Sequence, residues 1–211
     1  MEYAKEAVKR GSTALGIVFK DGVVLATVRS AGKLVVSDAM EKIFQIDDHA
    51  AAVASGLLAD ARVLIQQTRV KAQMHKITYD EPIDMWNLAK SLGNRMQLLT
   101  QYGGLRPYGV SLILGGVDNT GVHLIESDPS GTLFEWKAFA IGRGAPLAMK
   151  ILHQRWKENL GEKEAVELAL EIIDKAEKDG KEKKEIVSDL AVIRKDGRFK
   201  KYNESDAKAL K

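Results

Sequence analysis

The sequence contains no cysteine among its 211 residues, which excludes disulfide bonds and thiolate catalysis. This absence fits a reducing compartment such as the cytoplasm. No apolar run approaches the roughly 18 residues that a membrane-spanning helix needs, and residues 1–6 (MEYAKE) lack the apolar core of a signal peptide. Basic and acidic residues nearly balance, at 32 and 29. We therefore expect a cytoplasmic protein with no membrane and no nucleic-acid partner.

Sequence features of common metal, cofactor and hydrolase sites are also missing. The four histidines (His49, His75, His123 and His153) share no metal-like spacing, no glycine-rich phosphate loop follows a predicted strand, and no serine stands in a nucleophile elbow. We therefore expect neither a metal nor a cofactor. The tripeptide Gly142-Arg143-Gly144 precedes a predicted helix and is typical of a tight strand-to-helix turn, with an anion site as the alternative.

The pattern of hydrophobic residues, 45% of the chain, alternates between strand and helix periods. Residues 2–10 predict a short amphipathic helix that Gly11 ends. The predicted strands are Thr13–Phe19, Val23–Val28, Val35–Val36, Lys42–Ile46, Ala50–Ala54, Gly109–Leu114, Val122–Ile125, Leu133–Trp136, Ala138–Ile141, Ile186–Ile193 and Phe199–Tyr202. Further helices are expected from Ser55-Gly56 to about His75, from Pro82 to Gly103, and over Pro146–Glu158, Lys163–Asp179 and Glu204–Lys211.

Two tripeptides, Lys20-Asp21-Gly22 and Lys195-Asp196-Gly197, are strong hairpin signals, so the sheets should be mostly antiparallel. Strand groups alternate with helix pairs, and no linker or repeat divides the chain. We therefore predict one domain over residues 1–211, of the α+β class, with two sheets stacked face to face and helices outside.

Ser12 is a candidate nucleophile, because Ser12-Thr13 opens the first predicted strand directly after Gly11. Enzymes with an N-terminal nucleophile place Ser, Thr or Cys there and use the freed α-amine as the base. Lys42 lies on a strand that could supply the lysine that lowers the hydroxyl pKa. Such chemistry requires removal of residues 1–11. The alternative is that Ser12 is an ordinary strand residue behind an intact helix.

Six stretches, in order along the chain, carry a family resemblance: Glu2–Ile17, Glu41–Asp48, Ser55–Leu64, Thr100–Leu112, Glu126–Thr132 and Ala138–Gly142. In these stretches the sequence resembles the α-type subunits of the 20S proteasome core and is most similar to archaeal members. The resemblance implies a four-layer αββα sandwich, the fold of N-terminal-nucleophile hydrolases. It also implies a non-catalytic subunit whose seven-membered rings cap a chamber of β-type subunits, form the entry pore for unfolded protein substrates and dock an unfolding ATPase.

The resemblance places Ser12 and Lys42 at the positions of the catalytic threonine and active-site lysine of β-type subunits. Val28, however, stands where those subunits carry an acidic residue that supports the lysine, and the helix over 2–10 blocks a free amine at Ser12. Catalysis is therefore expected in partner β-type subunits. Two alternatives stay open: a self-processed hydrolase that uses Ser12, and an α-like ring scaffold that acts without β-type subunits.

The resemblance also implies a docking pocket between neighbouring subunits. There Lys42 pairs with the C-terminal carboxylate of the ATPase's hydrophobic-tyrosine-any tail, Gly11 lines the pocket and Glu2 is a nearby acid. An ammonium is a suitable point charge for a carboxylate. The alternative is a salt bridge of Lys42 within the subunit.

Three further residues receive roles from the resemblance. Tyr3 matches a tyrosine of the cluster that holds the gate open. Arg106 and Tyr108 belong to the α-specific loop, where they serve either the ring contact or the ordering of the loop before the next strand.

The sequence departs from the family at three places. Besides Val28, the loop at Ser30–Lys33 is about one residue short, and the chain begins inside the first helix, without the gating arm that precedes it in the family. We therefore expect an open pore and weaker docking of the tail.

Overall fold

The computed structural model describes residues 1–30, 41–178 and 186–202. The predicted strand at 35–36, the loop after residue 30 and the predicted helix over 204–211 lie outside these ranges. Along the chain the elements are α1 (Glu2–Arg10), β1 (Ala14–Phe19), β2 (Gly22–Ser30), β3 (Ile43–Asp47), β4 (Ala50–Gly56), α2 (Leu58–Tyr79), α3 (Met85–Gln101), β5 (Val110–Asp118), β6 (Gly121–Ser127), β7 (Leu133–Glu135), β8 (Ala138–Ile141), α4 (Ala145–Arg155), α5 (Glu162–Lys178), β9 (Ile186–Arg194) and β10 (Phe199–Tyr202).

The strands form two five-stranded antiparallel sheets, with strand orders β10-β9-β2-β1-β8 and β3-β4-β5-β6-β7. One apolar cluster fills the space between the sheets, a second lies between the first sheet and helices α4 and α5, and a third lies between the second sheet and helices α2 and α3. The predicted α+β sandwich with helices on both outer faces is therefore confirmed.

Two glycines let the sheets approach each other closely. A Cβ on Gly16 in β1 would lie 2.4 Å from Cδ1 of Leu124 in β6, and one on Gly115 in β5 would lie 3.1 Å from side-chain atoms of Leu25 and Val23. A side chain at Gly16 would collide with the facing leucine. The sequence predicted that the strand starting at Gly109 ends at Leu114, and this was wrong. Strand β5 continues to Asp118, because Gly115 packs against the facing sheet and does not form a turn.

The helices follow the predicted periodicity with shifted ends. The apolar face of α5 is buried as predicted, at Ala165, Leu168, Ala169, Ile172, Ile173 and Ala176. Helix α4 ends at Arg155, earlier than predicted, because Trp156 has extended backbone angles and its indole Nε1 donates to the carbonyl of Val18 at 3.1 Å. Helix α2 runs to Tyr79, where Asp80 adopts a left-handed conformation. No helix in the described ranges is long and apolar enough to cross a membrane.

Candidate functional site

The end of α1 is fixed against the sandwich at Gly11. A Cβ on this glycine would lie 2.3 Å from Oγ of Ser55 and 2.4 Å from the backbone nitrogen of Gly56, both in β4. The Gly11 carbonyl accepts a hydrogen bond from the Arg143 backbone N–H at 2.9 Å. Glycine is thus needed here for close packing within the chain, and the packing sets where the next residue, Ser12, lies.

The structure brings Ser12 and Lys42 together, as the sequence analysis predicted. Lys42 lies directly before β3, and its Nζ donates to the Ser12 hydroxyl and to the Val28 carbonyl, each at 2.7 Å. Lys42 is buried, and Ser12 is half-buried. Val28 contributes only its backbone oxygen, because its side chain lies in the core between the first sheet and the helices.

The two carboxylates that act electrostatically on Lys42 each form an ion pair with an arginine. Glu177 forms an ion pair with Arg143, and Asp189 lies 3.0 Å from Nε of Arg29. Across the described ranges, no carboxylate lies within ion-pair distance of Lys42 Nζ, so the alternative of an intrasubunit salt bridge has no partner there. Burial lowers the pKa of Lys42, while the negative charge of Glu177 opposes that effect.

Glu177 is a site residue that the sequence did not single out. It accepts hydrogen bonds from the Thr13 backbone N–H at 2.9 Å and from the Thr13 hydroxyl at 2.6 Å. These contacts join the end of α5 to the start of β1, across 164 positions of sequence. No local pattern could indicate a pair so distant, although a glutamate at the end of an otherwise apolar helical face was visible.

Ser12 and Lys42 have the contact between hydroxyl and lysine on which nucleophile activation depends, but two further requirements are not met at Ser12 and Val28. In this structure Ser12 follows Gly11 and α1, so its nitrogen is an amide and not a basic amine. Val28 provides no carboxylate to balance a charged lysine. The arrangement is therefore better suited to holding a negatively charged group than to cleaving a peptide bond.

A surface groove of about 380 Å³ runs beside α1 and is lined by Tyr3, Glu6, Ala7, Arg10, Gly11, Gly56 and Leu57. Tyr3 is 93% exposed, and Glu2, in the first turn of the helix, is also exposed. The structure thus places Tyr3 and Gly11 on one groove, and Ser12, which follows Gly11 in the chain, is in contact with Lys42. It gives no contact between Glu2 and Lys42 within the part of the chain that it describes.

Arg106 and Tyr108 lie in the segment before β5. The two terminal nitrogens of Arg106 donate to the Asp60 carboxylate at 2.6 and 2.7 Å, and the Gly109 N–H donates to it at 2.8 Å. The Arg106 hydrogen bonds hold the pKa of Asp60 below its usual value. Tyr108 is 8% exposed and packs between the second sheet and its helices. These contacts attach the segment to α2 and to the second sheet; whether the two residues serve the ring contact or the ordering of the loop stays a prediction.

No group of three or more histidine, aspartate or glutamate side chains in the described ranges is arranged to hold a metal ion. The Gly142-Arg143-Gly144 tripeptide makes the expected strand-to-helix connection, with Gly142 at φ 95° and α4 starting at Ala145.

Comparison with known proteins gives one consistent family. A family model described as proteasome subunit matches residues 8–190. The proteasome subunit alpha of Methanocaldococcus jannaschii is 48% identical over 211 residues, which cover 100% of this chain and 80% of that protein. The proteasome subunit alpha of Methanothermobacter thermautotrophicus is 48% identical over 194 residues, which cover 92% of this chain and 77% of that protein. That of Thermococcus sibiricus is 45% identical over 212 residues, which cover 100% of this chain and 80% of that protein.

The comparisons confirm the resemblance noted in the sequence. Alpha subunits are the non-catalytic ring subunits of the proteasome, and catalysis belongs to the beta subunits. This agrees with an amide nitrogen at Ser12 and with a valine in place of the supporting acid. From its fold, its site and these relatives, we conclude that the chain belongs to the proteasome subunit family, as one of its alpha-type members.

Proposed function

We propose that this chain forms the outer, seven-membered ring of a cytoplasmic 20S proteasome core. In that role it caps β-type subunits, builds the entry pore for unfolded substrates and docks an unfolding ATPase. Membership of the alpha-type subunits supports the ring role. The observation that carries the docking role is the Lys42 ammonium, which is buried without a carboxylate partner in the described ranges.

A buried ammonium with no carboxylate in direct contact is costly, and the nearby charges of Glu177 and Asp189 offset only part of that cost. A carboxylate that reaches Lys42 from outside would relieve the rest. The C-terminal carboxylate of an ATPase tail is such a group. The groove beside α1 would hold the preceding tail residues, because its lining includes Gly11, the residue before Ser12, which contacts Lys42. In this proposal Gly11 and Glu2 belong to the same pocket and Tyr3 supports the open gate. Arg106 and Tyr108 contribute to the contact between ring neighbours.

The test uses the full chain co-expressed with an archaeal β-type subunit, with particles imaged and weighed by native mass spectrometry. We expect heptameric end rings. Particles are then titrated with a fluorescent peptide that ends in the hydrophobic-tyrosine-any sequence. Lys42→Ala should weaken peptide binding at least about 30-fold, because losing one partner of a desolvated charge pair costs about 2–5 kcal/mol.

Lys175→Ala is the matched control, because Lys175 is an exposed lysine that is bonded to Glu171 on the outer side of α5. It should bind the peptide like the unmodified particle. A chain that stays monomeric with its β-type partner would contradict the ring role. Unchanged peptide affinity in Lys42→Ala would contradict the docking role.

A further inference from the structure

We propose that the Ser12 hydroxyl is a second hydrogen-bond donor to the carboxylate that Lys42 binds. The pocket then recognises a chain terminus through two adjacent donors rather than through one charge. This inference rests on the proposed function, because it concerns the same docking site. It assigns Ser12 a binding role, distinct from the nucleophilic role for which its position in the sequence made it a candidate.

The direction of the hydrogen bond between the two side chains leaves the Ser12 hydrogen available. An ammonium carries three hydrogens and accepts none, so Lys42 Nζ must be the donor in its 2.7 Å contact with Ser12 Oγ. The serine oxygen is therefore the acceptor, and its own hydrogen points elsewhere. Among the described residues, the Ser12 hydroxyl has no acceptor for this hydrogen, and its one hydrogen bond is the one it accepts from Lys42.

The ammonium has a hydrogen available as well. Two of its three hydrogens serve the contacts with Ser12 Oγ and the Val28 carbonyl, which leaves the third. Two donor atoms, 2.7 Å apart, thus each have one uncommitted hydrogen. A carboxylate has two oxygens that accept hydrogen bonds side by side, so it matches such a pair, whereas a C-terminal amide offers only one acceptor oxygen.

The backbone around Ser12 holds the hydroxyl in place before any ligand arrives. The Ser12 carbonyl accepts from the Ser55 hydroxyl at 2.9 Å, and the preceding carbonyl of Gly11 accepts from the Arg143 N–H at 2.9 Å. Little conformational freedom is therefore lost when the site is filled, which favours affinity. Ser12 is half-buried and follows Gly11, which lines the groove beside α1; in this proposal the carboxylate of a tail in that groove lies at Ser12.

The experiment compares two probes on assembled particles: the tail peptide with a free C-terminal carboxylate and the same peptide with a C-terminal amide. Ser12→Ala should lower the affinity for the acid at least about tenfold, because a hydrogen bond to a charged group is stronger than one between neutral groups, and should leave the amide unchanged. Ser12→Thr, which keeps a hydroxyl, should restore most of the preference for the acid. If Ser12→Ala does not assemble, Ser12→Cys gives the same comparison, because a thiol is a weak donor.

The outcomes separate this inference from the proposed function. If Lys42→Ala weakens binding of the acid and Ser12→Ala does not, the docking role stands and the second donor is refuted. If Ser12→Ala weakens acid and amide equally, Ser12 only shapes the pocket, which also refutes the inference. If neither variant changes the affinity for the acid, the docking role itself fails.

Discussion

Glu126 offers a direct test of how burial sets a charge in this fold. It lies in β6 beside the apolar layer between the sheets, and its carboxylate accepts a hydrogen bond from Nε1 of Trp136 at 3.1 Å. Trp136 stacks on Phe139 with the ring centres 4.4 Å apart. Burial, with a smaller effect of the Asp128 charge, raises the pKa of Glu126 from 4.5 to about 7, against the opposing effect of the indole hydrogen bond.

The sign of the pH dependence follows from this upward shift. Between pH 4.5 and about 7 the folded chain holds a proton on Glu126 that the unfolded chain has released. The stability that this proton provides is therefore fully present below pH 4.5 and is lost as the pH rises through about 7. One pKa unit corresponds to about 1.4 kcal/mol, which gives an upper bound of about 3 kcal/mol. Because the side chain is only half-buried, solvent screening reduces this to roughly 1–2 kcal/mol.

Glu126→Gln removes the charge and keeps an oxygen that can accept from Trp136. At pH 8 the variant should therefore have a free energy of unfolding about 1–2 kcal/mol higher than the unmodified chain, and at pH 4 the two should be nearly equal. Urea unfolding at pH 4, 6 and 8, at one fixed protein concentration, measures the difference. Glu167→Gln, at an exposed position of α5, is the control. A Glu126→Gln effect that is the same at all three pH values, or that destabilises at pH 8, would refute the reasoning.

Three further predictions concern the site and the loop before β5. Asp60→Asn should lower the free energy of unfolding by about 2–3 kcal/mol at pH 7, because it breaks the charged bonds to Arg106. Because the pKa of Asp60 is lowered in the folded chain, this stabilisation is lost as the pH falls through that pKa. The difference in free energy of unfolding between the unmodified chain and Asp60→Asn, measured with urea, should therefore become smaller in acid; a difference that does not change with pH would contradict this explanation. Gly11→Ala should cost about 1–3 kcal/mol through overpacking, whereas Gly103→Ala, with no atom within 4 Å of the added Cβ, should change stability by less than about 0.5 kcal/mol; equal melting shifts would argue against the packing explanation. Tail-peptide affinity should fall as the pH rises and should begin to fall below pH 10.5, because binding needs the Lys42 ammonium and burial lowers its pKa; a titration profile centred on 10.5 would exclude a buried ammonium as the ligand's partner.

Features of the fold that depend on neighbouring residues in the sequence were predictable. The tripeptides at 20–22 and 195–197 connect the β1–β2 and β9–β10 hairpins as predicted, because aspartate and glycine favour tight turns. The apolar stripe of α5 was clear because its spacing repeats every three or four residues. The layer order then followed, since each element has one apolar face to bury.

Interactions between distant parts of the chain were not predictable from the residues alone. Asp60 lies on a helix and Arg106 in a loop 46 positions later, and no pattern in either segment indicates their pairing. The contact between Ser12 and Lys42 was expected from the chemistry of N-terminal nucleophiles and from the family resemblance, and not from any pattern that links the two segments. Neither the residues nor the resemblance indicated that Lys42 also donates to the Val28 carbonyl, which commits a second ammonium hydrogen within the chain.

The close approach of the two sheets at Gly16 links the size of the residue at position 16 to the size of the residue at position 124. A methyl group at position 16 would occupy the space of the leucine Cδ1, only 2.4 Å away. A larger residue at 16 therefore requires the Leu124 side chain to move or a smaller residue at 124. We expect these two positions, 108 residues apart in the printed numbering, to vary jointly among relatives, as two sides of one contact between the layers.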